Sequence, residues 1–153
     1  MIYSIIPAKY LITLEYCYVQ MVGCQFYLDK IRNELVDEME DATSDKAALF
    51  YAKNINNLTR ILTTTDELFK IMYDYMSRDL VNILMKMSTC QDTIWYKNIC
   101  ETKDGYKILY ICFDQINTLK LQACDILNND FGLDIKCKAR TLDGTLNADC
   151  LDN

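Results

Sequence analysis

The chain has no histidine, one proline and four glycines in 153 residues, and each shortage excludes something. Without histidine there is no Ser-His-Asp or Cys-His nucleophile, no Glu-x-x-His di-iron motif, no His-ligated zinc and no imidazole to move protons near neutral pH. Acid–base work would fall to carboxylates, lysines or tyrosines. The expectation is a protein that is not an enzyme, with no cofactor and with no catalytic, cofactor-binding or metal residue to single out. Scarce glycine and proline also argue against a many-stranded sandwich or barrel, which needs frequent tight turns. No membrane span is expected either. The N-terminal stretch from Met1 to Gly23 is broken by Lys9 and Glu15, and it lacks the cationic start and small-residue close of a secretory signal. These features lead to an expected cytoplasmic or otherwise intracellular location.

What is present reads as globular: 51% hydrophobic and 25% charged residues, in a chain of single-domain length. The net charge of −6 repels phosphate backbones, so nucleic acid is not an expected partner. One dense basic stretch, Lys136, Lys138 and Arg140, alternates along the chain. It reads as a solvated edge that discourages strand pairing more readily than as an anion-binding strip. The bias towards Ile, Asn, Asp, Lys and Tyr matches that of chains from AT-rich genomes, many viral ones among them.

Helical periodicity carries the fold. From Tyr10 the apolar positions run Leu14, Cys17, Met21, Cys24, Leu28, Ile31 and Leu35, alternating steps of four and three as a helix seam does. The pattern predicts a helix over 8–40, with Pro7 at its entry and Gly23 as a place for a slight bend or close helix contact. Thr43 and Ser44 offer caps for a second helix over 45–62, carrying Ala48, Tyr51, Ile55, Leu58 and Leu62. Thr64 with Glu67 three residues later matches a capping box, which places a third helix over 65–88 with Phe69, Met72, Met76, Leu80, Ile83 and Met87 on its seam. One continuous bent helix from 45 to 88 is the competing reading. Residues 88–104 read as a connection with an apolar knot at Ile94, Trp95 and Tyr96. A fourth pattern over 106–128 carries Leu109, Cys112, Ile116, Leu119, Ala123 and Ile126. Its first part, Tyr106 to Phe113, has strand-favouring residues, but the three-four steps continue past it and favour helix. After Gly132 come a short strand signal (Leu133 to Cys137) and a turn at Asp143-Gly144. The predicted fold is therefore all-α: an antiparallel bundle of three to four long helices over 1–130, with an irregular, cysteine-bearing tail over 131–153.

Eight cysteines are many for such a chain. Cys17 and Cys24 fall on the first seam two turns apart, roughly 10 Å along the axis, too far to bridge. They read as small buried hydrophobes. Cys90, Cys100, Cys112, Cys124, Cys137 and Cys150 follow at intervals of 10 to 13 residues. They suit either reduced thiols or a disulfide framework, and an intracellular setting favours thiols. No Cys-x-x-Cys pair supports a zinc ribbon or a thioredoxin-type site.

The acidic run Glu34, Asp37, Glu38, Glu40 and Asp41 lacks the turn glycine and alternate ligands of a calcium loop, and reads as a solvated helix face. Asp143-Gly144-Thr145 resembles half of the haloacid-dehalogenase signature, but Thr141 stands where that family's nucleophilic aspartate would be. It reads as a turn. Asn57-Leu58-Thr59 as a glycosylation sequon and Asp130-Phe131-Gly132 as a kinase triplet have no supporting context.

The functional expectation is a non-catalytic helical protein acting through protein–protein contact, by self-association or by offering a groove to a partner helix. Seam methionines and eleven tyrosines motivate it. No individual residue is singled out as partner-binding. The alternatives are a secreted, disulfide-stapled helical factor and, with less support, a small carboxylate-dependent enzyme.

Overall fold

The computed structural model describes residues 13–87 and 105–137, with side chains in the second stretch from 112 onward. Among these residues there are four helices and no strand: α1 (Leu14–Glu40), α2 (Asp45–Met72), α3 (78–87) and α4 (Gly105–Phe131). Pro7, Tyr10, the 88–104 connection, the Asp143-Gly144 turn, Lys138 and Arg140 lie outside the described residues, as do Cys90, Cys100 and Cys150.

Three helices start on side-chain caps. Thr13 Oγ1 accepts from Tyr16 N–H at 3.0 Å, Ser44 Oγ from Ala47 N–H at 3.1 Å and Ser77 Oγ from Leu80 N–H at 3.3 Å. Each cap satisfies one of the donors that a helix start leaves unpaired, worth about 1 kcal/mol. α1 and α2 then form an antiparallel hairpin, with Gln25 Nε2 donating to Asp66 at 2.6 Å and Tyr18 meeting Tyr73. α4 lies along another side of α1 in the opposite direction, since Cys17 lies beside Gln122 and Cys24 beside Cys112. α1 thus packs against both α2 and α4, which touch each other far less.

The α1 seam falls where its spacing predicts: Leu14, Cys17, Met21, Cys24, Leu28 and Leu35 are all buried in the main core, with Ile31 partly so. Removing each such leucine from water stabilises the fold by roughly 1.5–3 kcal/mol before entropy is counted. α3 covers another face of α1, where Leu84 and Val19 form a smaller core flanked by Leu80 and Met87.

The predicted break at 63–65 is not there. Thr63, Thr64 and Thr65 turn their hydroxyls back onto carbonyls of their own helix, Thr63 to Thr59 O at 2.8 Å and Thr65 to Ile61 O at 2.7 Å. Back-bonded threonines are compatible with a continuing helix, and α2 runs on to Met72. The chain breaks instead at 73–77, where Ser77 opens α3. That interruption resets the helical phase, so Ile83, on the predicted seam, is exposed and its neighbour Leu84 is buried. The strand alternative at 106–113 is likewise overturned, because the backbone there is helical. Leu133 to Cys137 forms no strand. Gly132, at φ +71°, ends α4 in the left-handed region that glycine adopts without strain. Beyond it Leu133 N–H reaches Leu127 O at 3.2 Å. The Asn128 side chain brackets Ile135, accepting from its N–H at 2.8 Å and donating to its carbonyl at 3.0 Å. Residues 133–137 therefore fold back as a strap, with Leu133, Ile135 and Cys137 against the core.

One buried polar side chain stands out in α2. Asn54 is fully buried, and its Nδ2 donates to Phe50 O at 2.9 Å, while Oδ1 meets no donor among the described residues. An unmatched buried carbonyl costs about 1–3 kcal/mol. Asn54→Leu should therefore raise stability by about 1 kcal/mol in urea unfolding followed by circular dichroism. A loss of similar size would show that Oδ1 has a polar partner in solution.

Candidate functional site

Two features of the fold have the chemistry or the surface for a function. The first is a cavity of about 110 Å³ where α2, α4 and the strap meet. α2 contributes Thr64 and Glu67, α4 contributes Lys120 and Cys124, and the strap contributes Lys136 and Cys137.

Lys120 occupies a seam position of α4, between the buried Leu119 and Ala123, and is itself buried. Its ammonium donates to Ile61 O at 3.1 Å and to Thr64 Oγ1 at 2.7 Å. The long threonine-bearing α2 is what offers these acceptors. Burial pulls the Lys120 amine down to about 8 from its usual 10.5, against the opposing pull of Cys137, Cys124 and Glu67. Burial pushes the Cys124 thiol up to about 12, and its hydrogen bond with Cys137 adds to the effect while Lys120 works against it. The cavity thus holds an amine that loses its proton near pH 8 and a pair of thiols in mutual contact.

A second thiol pair joins α1 to α4. Cys112 is raised well above the usual thiol range, first by its hydrogen bond with Cys24 and then by burial. Cys17 is pushed to about 12, chiefly by burial. The five described cysteines, Cys17, Cys24, Cys112, Cys124 and Cys137, are all free thiols.

The second feature is aromatic. At the end of the bundle where α1 begins and α2 and α4 finish, the Tyr18 ring packs edge-on against Phe69 and Tyr73, with centroids 4.8 and 5.5 Å away. Tyr75 packs against Phe131 at 4.9 Å. The Tyr18 and Tyr73 hydroxyls meet at 2.7 Å, and burial together with that bond raises Tyr18 above the ordinary phenol range. Tyr73 remains 51% exposed and Phe131 43%.

The acidic run closing α1 forms no such centre. Glu34, Asp37, Glu38, Glu40 and Asp41 are exposed; Glu34 pairs with Lys30 at 4.0 Å, and Glu38 accepts from the Tyr51 hydroxyl of α2. Among the described residues no three ligating side chains converge. The sequon residue Asn57 sits half-buried in the middle of α2, and the Asp130-Phe131-Gly132 triplet is the end of α4. The sequence pattern missed Lys120 as a site residue. A lysine one step after a leucine on an otherwise apolar seam was the available signal. Comparison of the chain with models of protein families, with characterised proteins and with solved structures finds no match.

Proposed function

We propose that this chain is a non-catalytic helical protein that acts through protein–protein contact, by associating with a second copy of itself through the aromatic end of its bundle. The observation that carries this reading is the clustering of Tyr18, Tyr73, Tyr75 and Phe131 at one end, with Tyr73 and Phe131 open to solvent. Aromatic side chains are enriched at interfaces because they bury large areas at little entropic cost. A phenol hydroxyl both donates and accepts, so a tyrosine-rich surface is chemically complementary to its own copy, as a two-fold interface requires. A groove for a partner helix has less support, because the strap from 133 to 137 already packs in the angle between α2 and α4.

Five free thiols among the described residues suit a reducing, intracellular setting. Among the described helices none is long and apolar enough to cross a membrane.

Light scattering coupled to size exclusion tests the proposal. The expected result is a monomer–dimer equilibrium in which the double variant Tyr73→Ser, Phe131→Ser weakens association by roughly tenfold or more, with helix content unchanged. A strict monomer at high concentration, or a dimer indifferent to that variant, would overturn it.

A further inference from the structure

We propose that Cys124 and Cys137 are a peroxide-responsive thiol pair, in which Cys137 is oxidised first and Cys124 closes it into a disulfide that locks the strap onto α4.

The two thiols come from different elements yet hydrogen-bond to each other and line the same cavity of about 110 Å³, which has room for a peroxide molecule beside them. Their exposure differs: Cys137 is half-buried on the strap, whereas Cys124 is 4% exposed on α4. An oxidant therefore meets Cys137 first. Lys120 and Lys136 line the same cavity, so the approach to the two sulfurs is polar as well as open. The strap is held at a defined distance by the Asn128 bracket on Ile135 and by the reversal at Gly132. Cys124 is thus placed as the resolving thiol rather than meeting Cys137 by chance.

The chemistry balances with hydrogen peroxide as the only added reagent. The Cys137 sulfur attacks one peroxide oxygen and the O–O bond breaks, giving a sulfenic acid and water. The Cys124 sulfur then attacks the sulfenic sulfur, forming the S–S bond and expelling a second water. Two thiols are oxidised by two electrons and one peroxide is reduced. Thiol reductants reverse the step.

The Cys24–Cys112 pair makes the same kind of contact but differs in access. Both residues have zero exposure, one on α1 and one on α4, in the middle of the main core. They serve as an internal control that should stay reduced while the chain is folded.

The test is to treat the full, reduced chain with stoichiometric hydrogen peroxide, alkylate after unfolding, and map peptides without reduction. The expected product is a Cys124–Cys137 cross-linked peptide two hydrogens lighter than the thiol pair, with Cys24 and Cys112 alkylated. In the folded chain Cys137 should react with a thiol probe roughly tenfold or more faster than Cys24 or Cys112. In Cys124→Ser a cyclic 1,3-diketone should trap the sulfenic acid at Cys137. In Cys137→Ser, a change on the strap alone, no cross-link should form and Cys124 should remain a thiol. Circular dichroism confirms that each variant is folded. First pairing with Cys90, Cys100 or Cys150, or two separately alkylated thiols after peroxide, would overturn the proposal.

Discussion

Replacing Lys120 with methionine is expected to leave the protein more stable at pH 7 by roughly 1–3 kcal/mol. The amine sits about 8 in the fold and at 10.5 when solvated, a difference that corresponds to about 3 kcal/mol of cost for keeping the charge buried. Methionine retains a long unbranched chain in the space between α2 and α4 and removes that cost. The acceptors it abandons are not stranded, since Ile61 O still receives the Thr64 and Thr65 hydroxyls at 3.0 and 2.7 Å.

The same residue sets a pH dependence whose sign follows from linkage. Between about 8 and 10.5 the unfolded chain keeps the lysine proton that the folded chain has released, so in this window Lys120 makes stability rise with pH. Its penalty is full below about 8 and gone above 10.5. Tyr18, Cys17 and Cys124 act in the opposite direction, because the fold holds their protons beyond the ordinary 10.0 of a phenol and 9.0 of a thiol. The quantity to measure is therefore the difference between wild type and Lys120→Met in urea unfolding at pH 7 and pH 10. The gap should close as pH rises. A variant that is less stable than wild type at pH 7 by more than about 1 kcal/mol would mean that the two bonds made by the ammonium outweigh its desolvation.

Phe113→Ala is expected to cost about 3–5 kcal/mol, a large part of the 5–15 kcal/mol that domains of this kind possess. The Phe113 ring is fully buried in the main core on α4, beside Cys112 and Ile116, so its removal forfeits both transfer energy and packing. Phe26 is the contrast, 66% exposed on α1. Phe26→Ala should change stability by no more than about 0.5 kcal/mol. Thermal and urea midpoints of both variants check the pair, and a Phe113→Ala midpoint matching wild type would show that α4 packs otherwise in solution.

Much of the helical architecture is legible in the residues. The seam of α1 can be counted off from Leu14 to Leu35 because a long, uninterrupted helix keeps its phase, and Ser44 opens α2 as its position before Asp45 implies. The pattern fails where phase is lost or where a local motif has two outcomes. Thr64 and Glu67 spell a capping box, yet in α2 the threonine hydroxyls bond backwards and the helix continues. After the break at 73–77, Leu84 rather than Ile83 faces α1. On α4, Phe113 and Leu127 join the core while Ile126 is only partly buried, a shift of one position that depends on how α4 is rotated against α1.

The candidate sites were far less legible. Sequence periodicity can place Lys120 on an apolar face, but its acceptor Ile61 O lies 59 positions away, and no local rule connects them. Counting cysteines likewise allowed many pairings. Only the packing of α4 and the return of the strap bring Cys137 to Cys124 and leave Cys24 against Cys112. The all-α class, the caps and the α1 seam follow from propensity and spacing within a few turns, so residues near one another in the chain settle them. Rotation of each helix about its axis, burial of Lys120 and the meeting of thiols depend on contacts between distant segments, where the gain from filling the core outweighs the cost of burying a charge.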